Sequence, residues 1–226
     1  MSLVVLGGNV SPFVRKVRVA LAEKGLDYQL EQVNPFSPPE GWRKVSPLGR
    51  IPAFKDGERT LADSSVICAY LEKRFPTPAL FPADPYDHAR ALWFEEFMDG
   101  GFVPVAGPKV FRPLVLKPLF GGKAEADPDD EAAARKTVEE ELPPLWDYLE
   151  RELGDRDLFV GNQLTIADIT VASPHVNLRH AGVAPARKRW PRLRAFLDRM
   201  HARPSFKKVI EEETPLFGKR SVRITD

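Results

Sequence analysis

Hydrophobic and polar positions change period at a few points along the chain, and those changes predict its elements. Leu3-Val4-Val5-Leu6 is a short continuous apolar run that reads as a strand, followed by a flexible Gly7-Gly8. Phe13, Val17, Ala20 and Leu21 then recur at helical spacing, with Ser11 at the N-cap, Pro12 at the first helical position and Gly25 placed to end the helix. Asp27 to Val33 alternates around Tyr28 and Leu30, which predicts a second strand. The prolines of Asn34-Pro35-Phe36-Ser37-Pro38-Pro39 make a loop, and a short helix is expected around Glu40 to Val45. Pro52-Ala53-Phe54-Lys55 and Glu58 to Leu61 flank Asp56-Gly57 as a hairpin with a two-residue turn. A helix from Ser64 to about Arg74 would turn Val66, Ile67, Tyr70 and Leu71 inward. The order β-α-β-α-β-β-α predicts a thioredoxin-like domain over residues 1–76, a mixed four-stranded sheet covered by helices.

Pro76, Pro78, Pro82 and Pro85 mark residues 77–86 as a linker, and from Asp87 onward the period is helical. Ala91, Leu92, Trp93, Phe94, Phe97 and Met98 open an all-helical domain over residues 87–226. Between Gly100 and Gly122, Pro104, Pro108, Pro113 and Pro118 should break a regular helix. The same stretch is too apolar to lie loose in water. Leu142, Leu145, Trp146, Leu149 and Leu153 form one stripe of a helix from Asp129 to Leu153, with a kink expected at Pro143-Pro144. Thr165 and Asp168 have capping-box spacing and Leu164 and Ile169 staple spacing at the start of another helix. Further helices open at Trp190-Pro191 and Arg203-Pro204, and the tail from Lys219 should be mobile. The fold class is therefore α+β.

At 226 residues the chain can bury a sizeable core. A net charge of +1, with both signs interleaved, argues against nucleic acid as the main partner, since phosphate binding needs a concentrated basic face. No apolar run reaches membrane-spanning length, and Met1-Ser2-Leu3 leads straight into a strand without a signal-peptide pattern. One cysteine, Cys68, precludes an internal disulfide and fits a reducing cytoplasm. It lies in a predicted helix beside Ile67, where a small buried hydrophobe is the usual occupant. His88, His175, His180 and His201 lack the i,i+3 or i,i+4 pairing of a helical metal site. Gly121-Gly122-Lys123 lacks the strand and spacing of a phosphate loop.

Ser11 can be read in two ways: a helix cap only, or a hydroxyl at the positive end of a helix dipole, where an anion such as a thiolate is favoured. Ser11-Pro12-Phe13-Val14-Arg15-Lys16 resembles the first βα unit of the cytosolic glutathione transferases, closest to the serine classes (tau, theta, zeta) and their bacterial members. Two further clusters carry the resemblance. Ser46-Pro47-Leu48-Gly49-Arg50-Ile51-Pro52 is similar to the family's loop before a cis-proline, and Leu61-Ala62-Asp63-Ser64-Ser65-Val66-Ile67 to its Glu/Asp-Ser-x-x-Ile. The resemblance implies that Ser11 donates to the glutathione sulfur and that Phe13, Arg50, Ile51, Pro52, Asp63 and Ser64 hold the tripeptide. The backbone at Ile51-Pro52 would pair with its cysteinyl part. Asp63 and Ser64 would take the α-amine and α-carboxylate of its γ-glutamyl end. Residues 100–122 would line a pocket for a small hydrophobic electrophile, with Phe102, Val105 and Phe111 as contacts, although core packing or a dimer contact fits them too.

The implied activity is glutathione transfer by a cytoplasmic homodimer of the kind that serves detoxification, with no metal and no cofactor beyond glutathione as co-substrate. The same scaffold carries glutathione-dependent isomerases and dehalogenases, and also binding or scaffold proteins without catalysis. Serine at position 11 and Val14 three residues on leave no Cys-x-x-Cys pair for disulfide chemistry. The capping box makes Asp168 a structural acid, so Thr165→Ala should cost about 1 kcal/mol of folding stability. Urea unfolding would measure it, and an unchanged midpoint would remove the cap from the account.

Overall fold

Leu3–Leu6, all four side chains buried, is the central strand β1 of the sheet seen in a computed structural model that describes residues 2–217. β1 pairs in parallel with β2, Tyr28–Glu31, and antiparallel with β3, Ala53–Asp56, which pairs with β4, Arg59–Ala62. The order β2-β1-β3-β4 makes a mixed sheet. Helix α1, Pro12–Glu23, connects β1 to β2, and the one-turn helix α2 spans Trp42–Val45. Helix α3, Ser64–Arg74, follows β4. The hairpin differs from expectation by one residue: Asp56 pairs with Arg59, so the turn is Gly57-Glu58 with Gly57 at φ 61°. Asp56 stays in the strand because its buried carboxylate accepts the Tyr70 hydroxyl proton at 2.6 Å. On α3 the inward residues are Ile67, Cys68 and Leu71, while Val66 faces outward. Burial raises the Cys68 thiol pKa well above its ordinary value, as fits a packing residue.

The segment joining the halves is not slack. Leu80 and Phe81 are buried, and the Leu80 carbonyl accepts from the Ile166 amide at 2.8 Å. Lys24 donates to Glu72 at 2.7 Å and to the Phe75 and Pro78 carbonyls at 2.8 Å. Helix α4, Pro85–Glu96, then runs directly into a long helical stretch ending at Phe120. Its prolines were expected to break a helix, but they change its pitch instead. Phe97–Phe102 and Gly107–Leu116 are π-helical, and α5, Val103–Ala106, and α6, Lys117–Phe120, are α-helical turns between and after them. Pro108, Pro113 and Pro118 stand five residues apart, the spacing of the π-helical hydrogen bond. A wider turn relieves the contact between each proline ring and the carbonyl of the preceding turn, the contact that breaks an α-helix.

A break replaces the kink expected near Pro143-Pro144. Helix α7, Pro128–Glu140, ends before Glu141, and α8, Leu142–Leu153, begins with both prolines in its first turn, where missing donors cost nothing. Helix α9, Ile166–His180, is buried continuously from Ile166 to Leu178 and is the axis of the helical part. Asp168 accepts from the Phe159 amide at 2.8 Å, the Thr165 amide at 2.8 Å and the Thr165 hydroxyl at 3.0 Å, as the capping box requires. Helices α10, Pro191–Ala202, and α11, Pro204–Glu213, close the bundle. The tail from Lys219 falls outside the described residues.

Two histidines are locked neutral in this core. His175 donates from Nδ1 to the Val171 carbonyl at 2.7 Å and accepts from Trp146 Nε1 at 3.1 Å, while His201 donates to the Ala172 carbonyl at 3.0 Å. Burial pushes their pKa values down to about 3 and about 4. An unfolded histidine takes its proton near pH 6.5, so stability present above that pH is lost as pH falls toward the folded values. Asp168 acts in the opposite sense, since burial lifts its carboxyl to about 6 and the folded state then gains a proton first. One carboxyl offsets one of the two imidazoles, so stability should drop by about 2 kcal/mol between pH 7 and pH 5. Urea unfolding at the two pH values checks this, and a flat or rising stability would overturn it.

Candidate functional site

The site begins where the chain leaves β1. A Cβ at Gly7 would lie 2.4 Å from Val14 Cγ2, so only glycine lets the strand end pack this close to α1. Ser11 follows in extended conformation at the N-cap, and its Oγ accepts from the Val14 amide at a long 3.4 Å. That contact uses one lone pair weakly and leaves the hydroxyl proton free to donate elsewhere. No acidic residue lies in the first turn of α1, so the positive helix end is uncompensated by its own side chains.

Two successive cations hold this helix against the second half of the chain. Arg15 is fully buried: its Nε and Nη2 grip the Glu213 carboxylate at 2.9 and 2.5 Å, and Nη1 donates to the Ser173 carbonyl at 2.6 Å and to Asn177 Oδ1 at 2.7 Å. Asn177 Nδ2 in turn donates to the Val10 carbonyl at 2.8 Å, fixing the backbone beside Ser11. Although burial opposes it, Arg15 with His180 keeps the Glu213 carboxyl below the usual carboxylate range. Lys16 Nζ reaches Ser65 Oγ at 3.0 Å, Glu95 at 3.1 Å and Asp99 at 2.7 Å. Burial works against its charge, but Glu95 and Asp99 outweigh that and raise its pKa.

The Ile51-Pro52 peptide is cis, with Pro52 buried immediately before β3 and Ile51 half-buried. Asp63, the N-cap of α3, has φ 81°, a region that side-chain-bearing residues rarely adopt. Its Oδ1 accepts from the Ser65 amide at 2.9 Å and the Val66 amide at 3.2 Å, while its carbonyl accepts from the Ile67 amide at 3.0 Å. These bonds hold the strained residue at the head of the helix. Asp63 is exposed and Ser64 is buried.

A cleft of about 930 Å³ opens between the sheet part and the long helical stretch. Ser11, Phe13, Arg50 and Ile51 line one wall, and Phe111 lines the other. Phe13, expected among the inward residues of α1, is only half-buried and faces this cleft; Val14 takes the core position. Pro52, Asp63 and Ser64 are not on the cleft wall. Two of the three residues expected to contact a co-substrate are elsewhere. Phe102 is fully buried with its ring 4.6 Å from that of His175, and Val105 packs half-buried against the core. The pitch of the helix explains the difference: Phe102, Val110 and Leu114 form its inward face, while the neighbouring Val103, Ala106, Gly107, Phe111 and Leu116 line the cleft. Phe36 and Phe120, both largely exposed, meet edge-to-face at 5.9 Å among the cleft-lining residues. Asn177, which nothing in the sequence singles out, also lines the cleft.

Residues 7–79 match the family model described as glutathione S-transferase, N-terminal domain, and residues 115–213 match that described as glutathione S-transferase, C-terminal domain. A glutathione S-transferase of Hyoscyamus muticus is 31% identical over 216 residues, covering 93% of this chain and 99% of that one. A maleylacetoacetate isomerase of Pseudomonas aeruginosa is 30% identical over 206 residues, covering 88% of this chain and 92% of its own. The crystal structure of a Methylobacterium radiotolerans glutathione S-transferase in complex with glutathione sulfonate superposes with a TM-score of 0.71 at 28% identity, covering 93% of this chain and 95% of that one.

The Arg15–Glu213 pair has a direct consequence for stability. Glu213→Ala should destabilise the fold by about 3–5 kcal/mol, because it strands a buried guanidinium. Chemical unfolding would show it; a loss below about 1 kcal/mol would mean that water reaches Arg15.

Proposed function

Because the chain belongs to the glutathione S-transferase family, we propose that it activates the glutathione thiol at Ser11 for attack on a small hydrophobic electrophile held in the cleft. In this reading the cysteinyl backbone of glutathione lies along Ile51-Pro52. Arg50 and Phe13 contact the tripeptide, and Asp63-Ser64 receives the γ-glutamyl end, its amine on the second Asp63 carboxylate oxygen and its carboxylate on the Ser64 hydroxyl and amide at the head of α3. The Ser11 hydroxyl donates to the sulfur, and the start of α1 adds its positive partial charge. Both favour the thiolate over the thiol, whose unperturbed pKa is about 8.5. The released proton passes to solvent. The sulfur then forms a bond to the electrophilic carbon while a leaving group departs or a conjugated double bond takes up the electron pair. The protein contributes a lowered pKa and proximity, and the nucleophile belongs to glutathione.

The observation that carries this reading is the position of Ser11. A half-exposed hydroxyl with only a weak internal bond stands at a helix N-terminus in the wall of a largely apolar cleft. The similarity to a protein named maleylacetoacetate isomerase favours one second reading, a glutathione-dependent isomerase that uses the same thiolate and releases it again. The reading also includes a cytoplasmic homodimer, as the family resemblance implies. No helix among the described residues is long and apolar enough to cross a membrane.

Ser11→Ala should retain glutathione binding by calorimetry while the bound thiol titrates at higher pH. Thiolate ultraviolet absorbance against pH reads the shift, and a superimposable curve would take Ser11 out of the chemistry.

A further inference from the structure

Charge in the cleft is one-sided. Its lining holds two charged side chains, Arg50 and Arg112, and no carboxylate. They stand on opposite sides, Arg50 on the loop before β3 and Arg112 on the π-helical stretch Gly107–Leu116, one residue after Phe111. Neither guanidinium has a carboxylate within 4.0 Å among the described residues. The helical stretch makes the contrast plain. Its other cations face α7 and nearby acids: Lys109 meets Glu141 at 2.5 Å, and Lys117 meets Asp130 at 2.5 Å and Asp127 at 3.5 Å. Arg112 alone of the three lines the cleft, and among the described residues it alone of them has no acid beside it. An unpaired guanidinium beside apolar walls presents a planar fork that matches a carboxylate in two parallel hydrogen bonds.

We infer that Arg112 selects electrophiles that carry a carboxylate on an apolar body, and that it does so by binding that carboxylate. This rests on the glutathione-transfer reading, in which the tripeptide engages Arg50 and leaves Arg112 as the cation available to the second substrate. The apolar body lies against Phe111, Leu116 and Phe120, and the anionic end reaches Arg112. With an aryl chloride such as 4-chloro-3-nitrobenzoate, the glutathione sulfur bonds to the ring carbon and chloride leaves with the bonding pair. The thiol proton goes to solvent, and the carboxylate takes no part in the bond changes. Arg112 is thus a specificity residue and acts on binding of the second substrate.

The test compares 4-chloro-3-nitrobenzoate with its methyl ester on wild type, Arg112→Gln and Arg112→Lys, at saturating glutathione. Ratios of variant to wild type cancel the different intrinsic reactivities of the two electrophiles. Arg112→Gln should raise KM for the acid about tenfold, as loss of a charge-assisted hydrogen bond predicts. KM for the ester and for glutathione should stay within about twofold, and Arg112→Lys should recover part of the loss for the acid. Equal changes for acid and ester, or none for either, would overturn the assignment. A binding arm separates this from the underlying reading: calorimetric titration of 4-phenylbutanoate and 4-phenylbutanamide into wild type and Arg112→Gln, with and without glutathione. If no electrophile is turned over, glutathione transfer fails as the activity. Preference for the carboxylate over the amide that disappears in Arg112→Gln would still support the role of Arg112, and its absence from wild type would refute it.

Discussion

A single buried guanidinium decides where the two halves of this molecule meet. Arg15 leaves α1 one turn after Ser11 and is gripped at once by Glu213 on α11 and by Ser173 and Asn177 on α9. A charge this deep would be prohibitive without partners, so any displacement of α1 from the helical bundle carries the cost of an unpaired ion. Lys16 repeats the device toward α4 and the following π-helical turn through Glu95 and Asp99. The cleft between the halves therefore has a fixed width, and the hydroxyl at its edge has a fixed direction. Ser11 is placed from the far side of the molecule as much as by its own strand.

The same network reaches the backbone beside Ser11 directly. Asn177 bridges the Arg15 guanidinium and the Val10 carbonyl, so a residue of the all-helical part holds the peptide next to Ser11. Positioning of this kind matters for a thiol, because a hydrogen bond lowers a pKa only when donor and sulfur meet at the right distance. Asp63, by contrast, is held locally, by cap bonds to Ser65 and Val66 that stabilise an unusual backbone conformation. One end of the proposed tripeptide site is thus set by tertiary packing and the other by a helix cap.

The π-helical stretch gives the cleft its second wall. A regular α-helix could not carry Pro108, Pro113 and Pro118, and a loop could not bury Phe102, Val110 and Leu114 together. Widening the turn allows both, and it rotates Phe111, Arg112 and Leu116 toward the opening. That rotation is why Phe102 and Val105, so plausible from composition, pack inward, and why Arg112 lines the cleft. Prolines commonly read as breaks here shape the wall of a cleft.

Much of the architecture was legible in the chain itself. Strand and helix periods, the caps at Ser11 and Thr165, and the turn glycines depend on neighbours a few residues away, and sequence encodes such short-range preferences directly. The cis peptide before Pro52 was legible only through resemblance to a family. The hairpin register, the pitch of residues 97–120 and the burial of Arg15, Lys16 and Arg18 were not legible, because on α1 these cations look like a solvated face. Their partners Glu95, Asp99, Glu212 and Glu213 lie 79 to 198 residues away, and no local rule pairs charges across that distance. Local preferences along the chain determined most elements and the hydroxyl offered at position 11, but not the helical pitch after Glu96 or the break at Glu141. Only the tertiary structure decided which charges are buried together, and so how wide the cleft is and what faces into it.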